Sequence, residues 1–367
     1  MICTLLQHPI SYEIVIKADL LKNVEHFTSL SAPFALITDE VTADLYGKEL
    51  HALLCKSGFE THLFTFPGGE TNKTRSTKEV LENQLFEKNL SKDTCIIALG
   101  GGVVTDLVGY LAATYCRGVP LVVIPTTLLG MVDACIGGKT GIDVPYGKNL
   151  IGCIYQPNKV LIDPLTLKSL PPKELKNGVV EIIKHALVAD PLLFEYLEKH
   201  SQELFARDIP VLEHLIHESC RIKIEIVTQD EKEKGKRRLV NFGHTVGHAL
   251  EKTSNYELVH GEAVAIGMLV ESYMALKSGL LKKSTLDKMH NILKAYDLPL
   301  KLPENLAVQS ILNAMILDKK SSKGKPRFVL IRDIGDPLSF NENYCTEIDE
   351  SIILEALNWM SHDLCCH

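Results

Sequence analysis

Three histidines and one glutamate have the residue types and spacing of a metal site. His244 and His248 are four residues apart and share a face if their segment is helical, and His260 follows 16 residues after His244. A zincin would use both histidines of such a pair, but the glutamate that its motif requires directly after the first histidine is absent. The alternative set is two imidazoles from different segments plus a carboxylate, for which Glu181 is the candidate. Lys184 could equally pair with Glu181, so metal binding and a group of satisfied buried polar side chains both stay open.

Glycine-rich and hydroxyl-bearing turns indicate a nucleotide site. Gly100–Asp106 follows an apolar strand and opens a helix, whose free N–H groups can bind phosphate, although the segment is not a Gly-x-Gly-x-x-Gly fingerprint. Thr126 and Thr127 follow the next strand, and the turn Pro67–Lys73 ends another. Each turn alone is also typical of an ordinary surface connection, but together they favour a dinucleotide.

A second glycine-rich stretch contains two lysines and an asparagine. Gly138, Lys139 and Thr140 match the end of a P-loop, but position 133 is aspartate where that motif needs glycine, so we reject the P-loop. Lys139, Lys148 and Asn149 predict a mobile loop that cradles a phosphate, and solvated loop lysines are the other possibility.

Two types of sequence pattern predict the secondary-structure elements that position these residues. Short β-branched runs alternate with helical stretches in the first half, which predicts parallel βαβ units, with strands over 12–16, 34–39, 61–66, 95–99 and 119–125 and helices over 40–57 and 77–88. Beyond the two prolines at 171–172 helical periodicity dominates, over 178–188, 191–205, 209–229, 247–253, 262–277 and 284–296. A strand pair is expected only around 327–331, and the charged stretch 232–238 is expected to be a solvated loop. We therefore predict two domains, 1–171 and 172–367.

Composition excludes several classes of protein. Lys+Arg number 39 and Asp+Glu 46, a formal charge of −7, and 46% of the residues are hydrophobic, which excludes a disordered chain and a duplex-coating nucleic-acid binder. The ten cysteines form no Cys-x-x-Cys pattern, so we expect thiols rather than a disulfide scaffold or a zinc ribbon. No signal peptide and no 18-residue apolar run occur, which predicts a soluble cytoplasmic protein without a membrane partner.

The chain resembles the 3-dehydroquinate synthase family. The similarity runs from the turn at 67–70 to the segments 318–320 and 327–330, and its most specific blocks are Gly100–Asp106, Gly178–Lys184 and Leu239–Glu262. It implies a Rossmann-like NAD-binding domain, then a mostly α-helical domain for metal and substrate, with the active site in the cleft between them.

The resemblance also assigns residues. It implies that Glu181, His244 and His260 bind one divalent metal, Zn²⁺ or Co²⁺, and that the catalytic groups are His248, Lys184, Asp133 and Asn241. The implied NAD⁺ contacts are Asp39, Gly68, Gly69, Glu70, Lys73, Gly101, Gly102, Val103, Asp106, Thr126, Thr127, Lys139, Lys148, Thr166, Leu167 and Ser169. The implied substrate contacts are Arg117, Asp133, Lys139, Asn149, Lys184, Lys223, Arg237, Asn241, His248, Lys319 and Lys320, with Arg117 reaching the substrate of a neighbouring subunit in a homodimer.

The implied reaction converts 3-deoxy-D-arabino-heptulosonate 7-phosphate to 3-dehydroquinate and phosphate, a lyase step of the shikimate pathway. A hydroxyl is oxidised, phosphate is eliminated, the ketone is reduced again, and the opened ring closes by an aldol addition, so NAD⁺ is recycled. The alternatives are another sugar-phosphate cyclase and a metal-dependent polyol dehydrogenase of the glycerol type. Thr42 and Thr105 depart from the family pattern at the cofactor turns.

Overall fold

A computed structural model describes residues 12–30, 33–303, 306–317 and 325–364. The contacts within the chain define two compact units, Met1–Ser169 and Leu170–His367, here unit 1 and unit 2. Sequence analysis placed the division after residue 171.

Unit 1 is built on a six-stranded parallel sheet in the order β1-β8-β5-β4-β2-β3. Its strands are β1 Glu13–Ile16, β2 Phe34–Asp39, β3 Thr61–Phe66, β4 Cys95–Gly100, β5 Leu121–Pro125 and β8 Lys159–Ile162, and its helices are α1 Glu40–Thr42, α2 Lys48–Lys56, α3 Arg75–Glu87 and α4 Gly102–Thr114. β4 is buried along its whole length, and Ile97 in it pairs with Leu36 and Val122 in the neighbouring strands. The α/β class is confirmed, because apolar runs of this length fill a sheet that is covered on both faces.

An antiparallel hairpin in unit 1 corrects the sequence analysis. The stretch around Lys139 and Asn149 was expected to be a mobile loop, but β6 Lys139–Val144 pairs with β7 Gly147–Ile154. β6 packs on α4, where Gly109 lies so close to Thr140 that a Cβ atom on the glycine would be 2.5 Å from Thr140 Cγ2. The local sequence did not predict this hairpin, because an isolated pair of strands is only marginally stable and here packs on α4.

Unit 2 is mostly helical, as predicted. Its helices are α5 Pro172–Ala189, α6 Pro191–Lys199, α7 Ser201–Phe205, α8 Ile209–Gln229, α9 His244–Thr253, α10 His260–Lys277, α11 Lys283–Ala295, α12 Val308–Ile316 and α13 Glu350–Trp359. The core is centred on α10, which is buried along most of its length and packs against α5, α9, α11 and α13. A helix that is apolar on all sides is suited to such a central position.

Several elements of unit 2 differ from the prediction. The helix expected over 191–205 is interrupted at His200, and α12 and α13 were not predicted. The strand pair expected around 327–331 is displaced to β9 Ile331–Asp333 and β10 Asp336–Pro337. Within the described residues, every helix is too short or too polar to cross a membrane.

The contact between α4 and the hairpin gives a test. Gly109→Ala improves intrinsic helix propensity by about 1 kcal/mol, but the added methyl group overlaps Thr140, and overpacking typically costs about 1–3 kcal/mol. We expect faster hydrogen–deuterium exchange in residues 137–154 of the variant. A second change, Thr140→Ser, removes Cγ2 and should restore slow exchange. Slower exchange in Gly109→Ala alone would show that the contact does not limit the hairpin.

Candidate functional site

Unit 2 brings a carboxylate and two imidazoles together from three helices. Glu181 lies in α5 and is fully buried, while His244 and His260 are the first residues of α9 and α10. Glu181 Oε1 is 3.8 Å from His244 Nε2 and 3.6 Å from His260 Nε2. One donor atom from each residue lies within 4.8 Å of the others. Two imidazole nitrogens and one carboxylate oxygen are a suitable donor set for Zn²⁺ or Co²⁺, so these residues fit the metal.

Polar contacts and close packing fix the starts of α9 and α10. The buried Glu271 carboxylate accepts a hydrogen bond from Gly243 N at 2.9 Å, directly before His244. Asn177 Oδ1, one turn before Glu181, accepts one from Gly261 N at 2.6 Å. A Cβ on Gly267 would be 2.0 Å from Gly243 O, so the approach of α10 to the start of α9 requires glycine at this position. These contacts hold the three helices in register around Glu181.

His248 and Lys184 lie beside the proposed ligand set and make different contacts there. The His248 ring is half-buried, 5.4 Å from the His244 ring and 6.2 Å from the His260 ring, and it does not belong to the donor group around Glu181 in the described part of the chain. The geometry therefore favours the set with ligands from different segments over the zincin-like pair. Lys184 is buried and donates a hydrogen bond to Glu181 Oε2, so the pairing considered as an alternative to metal binding coexists with the convergent imidazoles.

The electrostatics of this cluster favour a positive charge. Burial opposes protonation of His260, but hydrogen bonds to Glu181 and Glu251 outweigh it and raise the pKa of His260 to about 10. Glu251 is a site residue that sequence analysis missed. It follows His248 by three residues and His244 by seven on the same helix face, and that spacing was a signal which could have identified it.

The charged stretch 232–238 is not a solvated loop throughout, which corrects the prediction. Arg237 lies in the 3-10 turn Lys236–Asn241 and is 1% exposed. The Asp230 carboxylate accepts hydrogen bonds from the backbone N–H groups of Lys234, Gly235 and Arg237. Burial acts against the charge of Asp230, but these N–H groups lower its pKa below the usual value. Asp230 thus organises the turn. The buried side chains that follow Arg237 pack the turn against the rest of unit 2.

Two further predicted substrate contacts lie near this turn in the chain. Asn241 Nδ2 donates to Glu233 Oε1 at 2.5 Å, and Lys223 is buried in α8, a helix that packs against the turn. Arg237 and Lys223 are buried cations, which are unfavourable unless anionic or dipolar groups compensate them. A carboxylate-bearing ligand suits a guanidinium such as that of Arg237. Lys319 and Lys320 lie outside the described residues.

The predicted cofactor residues of unit 1 lie at the carboxyl ends of its strands. Asp39 ends β2, the turn with Gly68, Gly69 and Glu70 follows β3, and Gly101, Gly102 and Val103 follow β4. Thr126 and Thr127 come after β5, and Thr166, Leu167 and Ser169 after β8. Carboxyl ends of parallel strands form one edge of a sheet, where nucleotides bind in doubly wound folds.

A buried lysine connects this edge to the hairpin. Lys73 Nζ donates to Asp106 Oδ2 at 2.5 Å and to Asn149 Oδ1 at 2.6 Å. Burial opposes the charge, but Asp106 and Glu70 raise the pKa of Lys73 above its ordinary value. The structure thus joins Asn149, predicted to bind substrate, to two residues predicted to bind the cofactor.

Thr105 and Thr42, the two residues that depart from the family pattern, both make hydrogen bonds within their own segments. Thr105 is buried in α4, and its hydroxyl donates to Gly102 O at 3.1 Å. Thr42 donates through its backbone N–H and its hydroxyl to the Asp39 carboxylate, at 2.9 and 2.8 Å. Both threonines therefore support the turns in which they occur.

The other predicted residues of unit 1 belong to several different elements. Asp133 lies in the helical turn Gly130–Ala134, Lys139 is exposed at the start of β6, and Lys148 is half-buried in β7. Arg117 is exposed and has a left-handed backbone, with φ of 69°. That both units contribute to one cleft stays a prediction.

Comparison with protein-family models gives two adjacent matches. Residues 63–177 match the model described as 3-dehydroquinate synthase N-terminal, and residues 178–321 match 3-dehydroquinate synthase C-terminal. A protein named 3-dehydroquinate synthase from Desulforamulus reducens is 40% identical over 352 residues, 95% of this chain and 97% of the relative.

Two solved structures of cyclases are also similar. The 2-epi-5-epi-valiolone synthase from Streptomyces hygroscopicus subsp. jinggangensis, with NAD⁺ and Zn²⁺ bound, has a TM-score of 0.88 and 31% identity and covers 98% of this chain and 99% of its own. A 2-deoxy-scyllo-inosose synthase complexed with carbaglucose-6-phosphate, NAD⁺ and Co²⁺ has a TM-score of 0.86 and 26% identity. The match covers 94% of this chain and 96% of the synthase chain.

The ligand geometry predicts different outcomes for two neighbouring histidines. His260→Ala removes one of three donors and should abolish stoichiometric Zn²⁺ or Co²⁺ binding, whereas His248→Ala should retain about one cation per chain. Metal content after dialysis, measured by elemental analysis, tests both variants, and circular dichroism verifies their folding. Loss of the cation from His248→Ala with retention in His260→Ala would exclude this ligand set.

Proposed function

The chain belongs to the 3-dehydroquinate synthase family, and we propose that Glu181, His244 and His260 hold the divalent cation that its activity requires. The enzyme converts 3-deoxy-D-arabino-heptulosonate 7-phosphate to 3-dehydroquinate and phosphate, a lyase reaction of the shikimate pathway to aromatic amino acids. NAD⁺ and a divalent metal are its cofactors. The convergence of Glu181 with both imidazoles is the observation that carries the metal assignment.

Unit 2 supplies acid–base groups around the cation. When bound, NAD⁺ accepts and returns a hydride, while the cation acidifies a substrate hydroxyl and polarises the ketone. His248 carries protons one helical turn from His244, a role that typically contributes about 10²–10⁴-fold to rate. Lys184 donates a hydrogen bond to Glu181 Oε2 and so orients that carboxylate. Asn241 of unit 2 and Asp133 of unit 1 complete the proposed catalytic groups.

Separate cations bind the two anionic ends of the substrate. Arg237 and Lys223, both buried in unit 2, bind the carboxylate, for which a planar guanidinium is well suited. Lys139, the first residue of β6, and Asn149, in the first half of β7, bind the phosphate together with Arg117. Lys319 and Lys320 are the remaining proposed substrate contacts.

Unit 1 binds NAD⁺ at the carboxyl edge of its sheet. The first turn of α4 presents free backbone N–H groups, which favour the pyrophosphate. Asp39 and the turn after β3 provide polar groups for the remaining parts of the dinucleotide, and Lys73 fixes that turn to Asp106. The proposed domain roles are therefore cofactor binding in 1–171 and metal and substrate binding in 172–367.

We propose a cytoplasmic homodimer. Seven of the cysteines lie in the described part of the chain as free thiols, which is typical of a reducing compartment. Arg117 extends from an exposed turn in which Cys116 also has positive φ, and such strain is often stored at functional positions. Its guanidinium then binds the substrate phosphate in the partner subunit.

An assay of product balance tests the function against both alternatives. With the heptulosonate phosphate, Co²⁺ and NAD⁺ well below the substrate concentration, we expect one phosphate per substrate and no accumulating NADH. Stoichiometric NADH without phosphate would indicate a polyol dehydrogenase. Arg237→Ala should selectively weaken binding of the carboxylate-bearing substrate. If the wild-type enzyme instead turned over a ketose phosphate without a carboxylate equally fast or faster, it would be a different cyclase.

Subunit mixing tests the placement of Arg117. Arg117→Ala and His260→Ala should each be inactive alone. After unfolding and refolding as an equal mixture, half of the dimers are mixed, and each mixed dimer has one intact site, so about a quarter of wild-type activity should return. No recovery, with mixed dimers verified by differential tags, would place Arg117 in the site of its own subunit.

A further inference from the structure

The two ligand imidazoles each divide their nitrogens between Glu181 and another oxygen. His244 Nδ1 is 3.1 Å from the Phe242 carbonyl oxygen, and His260 Nδ1 is 3.4 Å from Glu251 Oε2. A neutral imidazole has one N–H and one lone pair. If Nδ1 donates to these oxygens, Nε2 of each ring faces Glu181, and a cation that displaces the Nε2 proton meets the lone pair there.

Glu251 is held in place at both its backbone and its side chain. It is 8% exposed near the end of α9, and its carbonyl oxygen accepts hydrogen bonds from Tyr256 N at 2.8 Å and Ser254 Oγ at 3.1 Å. These bonds fix the turn that leads to α10 and His260. A buried carboxylate requires a polar or charged partner, and His260 supplies one.

We propose that Glu251 is a positioning residue for the cation, because it accepts the Nδ1–H of His260 and keeps the Nε2 lone pair of that ring directed toward Glu181. The inference rests on the proposed ligand set. His244 has a neutral carbonyl as its corresponding acceptor, so the carboxylate makes His260 the more basic of the two imidazole ligands. Removing such an outer partner typically weakens metal binding by about 10–100-fold.

A second cation is the competing use of the same residues. Donor atoms of His248, Glu251 and His260 also lie within 4.8 Å of one another. That site would need His260 Nδ1 while Nε2 serves the first cation, and a neutral ring has a single lone pair. Occupying both sites would require an imidazolate, so the positioning role is favoured, and the two uses differ in stoichiometry.

The test compares three variants of the full chain. Glu251→Gln retains the shape and an acceptor oxygen but removes the charge, and Glu251→Ala removes both. In chelator competition we expect Co²⁺ affinity to fall about 10-fold and about 100-fold, respectively, with a shifted visible spectrum of the bound Co²⁺. NAD⁺ affinity should not change. Glu257→Gln, an exposed carboxylate of the same turn, is the matched control and should match wild type.

Glu181→Ala separates failure of this inference from failure of the ligand set. If Glu181→Ala binds Co²⁺ like wild type, the proposed metal ligands are wrong. If it loses Co²⁺ while both Glu251 variants keep wild-type affinity and spectrum, the positioning role alone is overturned. Two Co²⁺ per wild-type chain, with one lost in Glu251→Ala, would instead make Glu251 a ligand. Should Glu251→Ala fail to fold, Glu251→Gln decides the question.

Discussion

The burial of the Glu181 carboxylate is the constraint on which the arrangement of unit 2 depends. A carboxylate with no exposed surface is strongly unfavourable unless cations or hydrogen-bond donors surround it. Lys184 supplies one partner from the same helix, and His244 and His260 approach from two others. The starts of α9 and α10 are therefore fixed relative to α5 by electrostatics as well as by apolar packing.

Additional polar contacts keep this convergence rigid. Glu271 holds the backbone before His244, Asn177 holds the backbone after His260, and Glu251 faces the far side of the His260 ring. Each of these groups touches a proposed metal ligand or its neighbour in the chain. A cation site with precise geometry depends on such outer partners, because the ligands alone would adopt many rotamers.

Unit 1 addresses a different problem, which is to present backbone N–H groups and side chains at one edge of a sheet. The parallel strands place their carboxyl ends together, and Lys73 then joins the turn after β3, the helix after β4 and the hairpin. A displacement of any of these three segments would alter the contacts of the other two, because all three bind the same buried ammonium group. The sheet edge proposed to bind the cofactor and the hairpin are thus coupled within the unit.

Local sequence patterns determined most of the long helices and five of the six strands of the parallel sheet, but not β8, α12 or α13. Ile209–Gln229 was predicted to the residue, and the all-apolar run at 95–99 identified β4, because periodicity and burial act over neighbouring positions. The spacing of His244 and His248 indicated a site but left two ligand sets open. Only the tertiary structure placed Glu181, 63 residues before His244, against the imidazoles of both α9 and α10. The tertiary structure also buried Arg237, although the charged composition of residues 232–238 predicts an exposed loop. Asp230 organises the turn that contains Arg237. Contacts between distant segments carry no local signature, and these decided which polar residues of the chain meet.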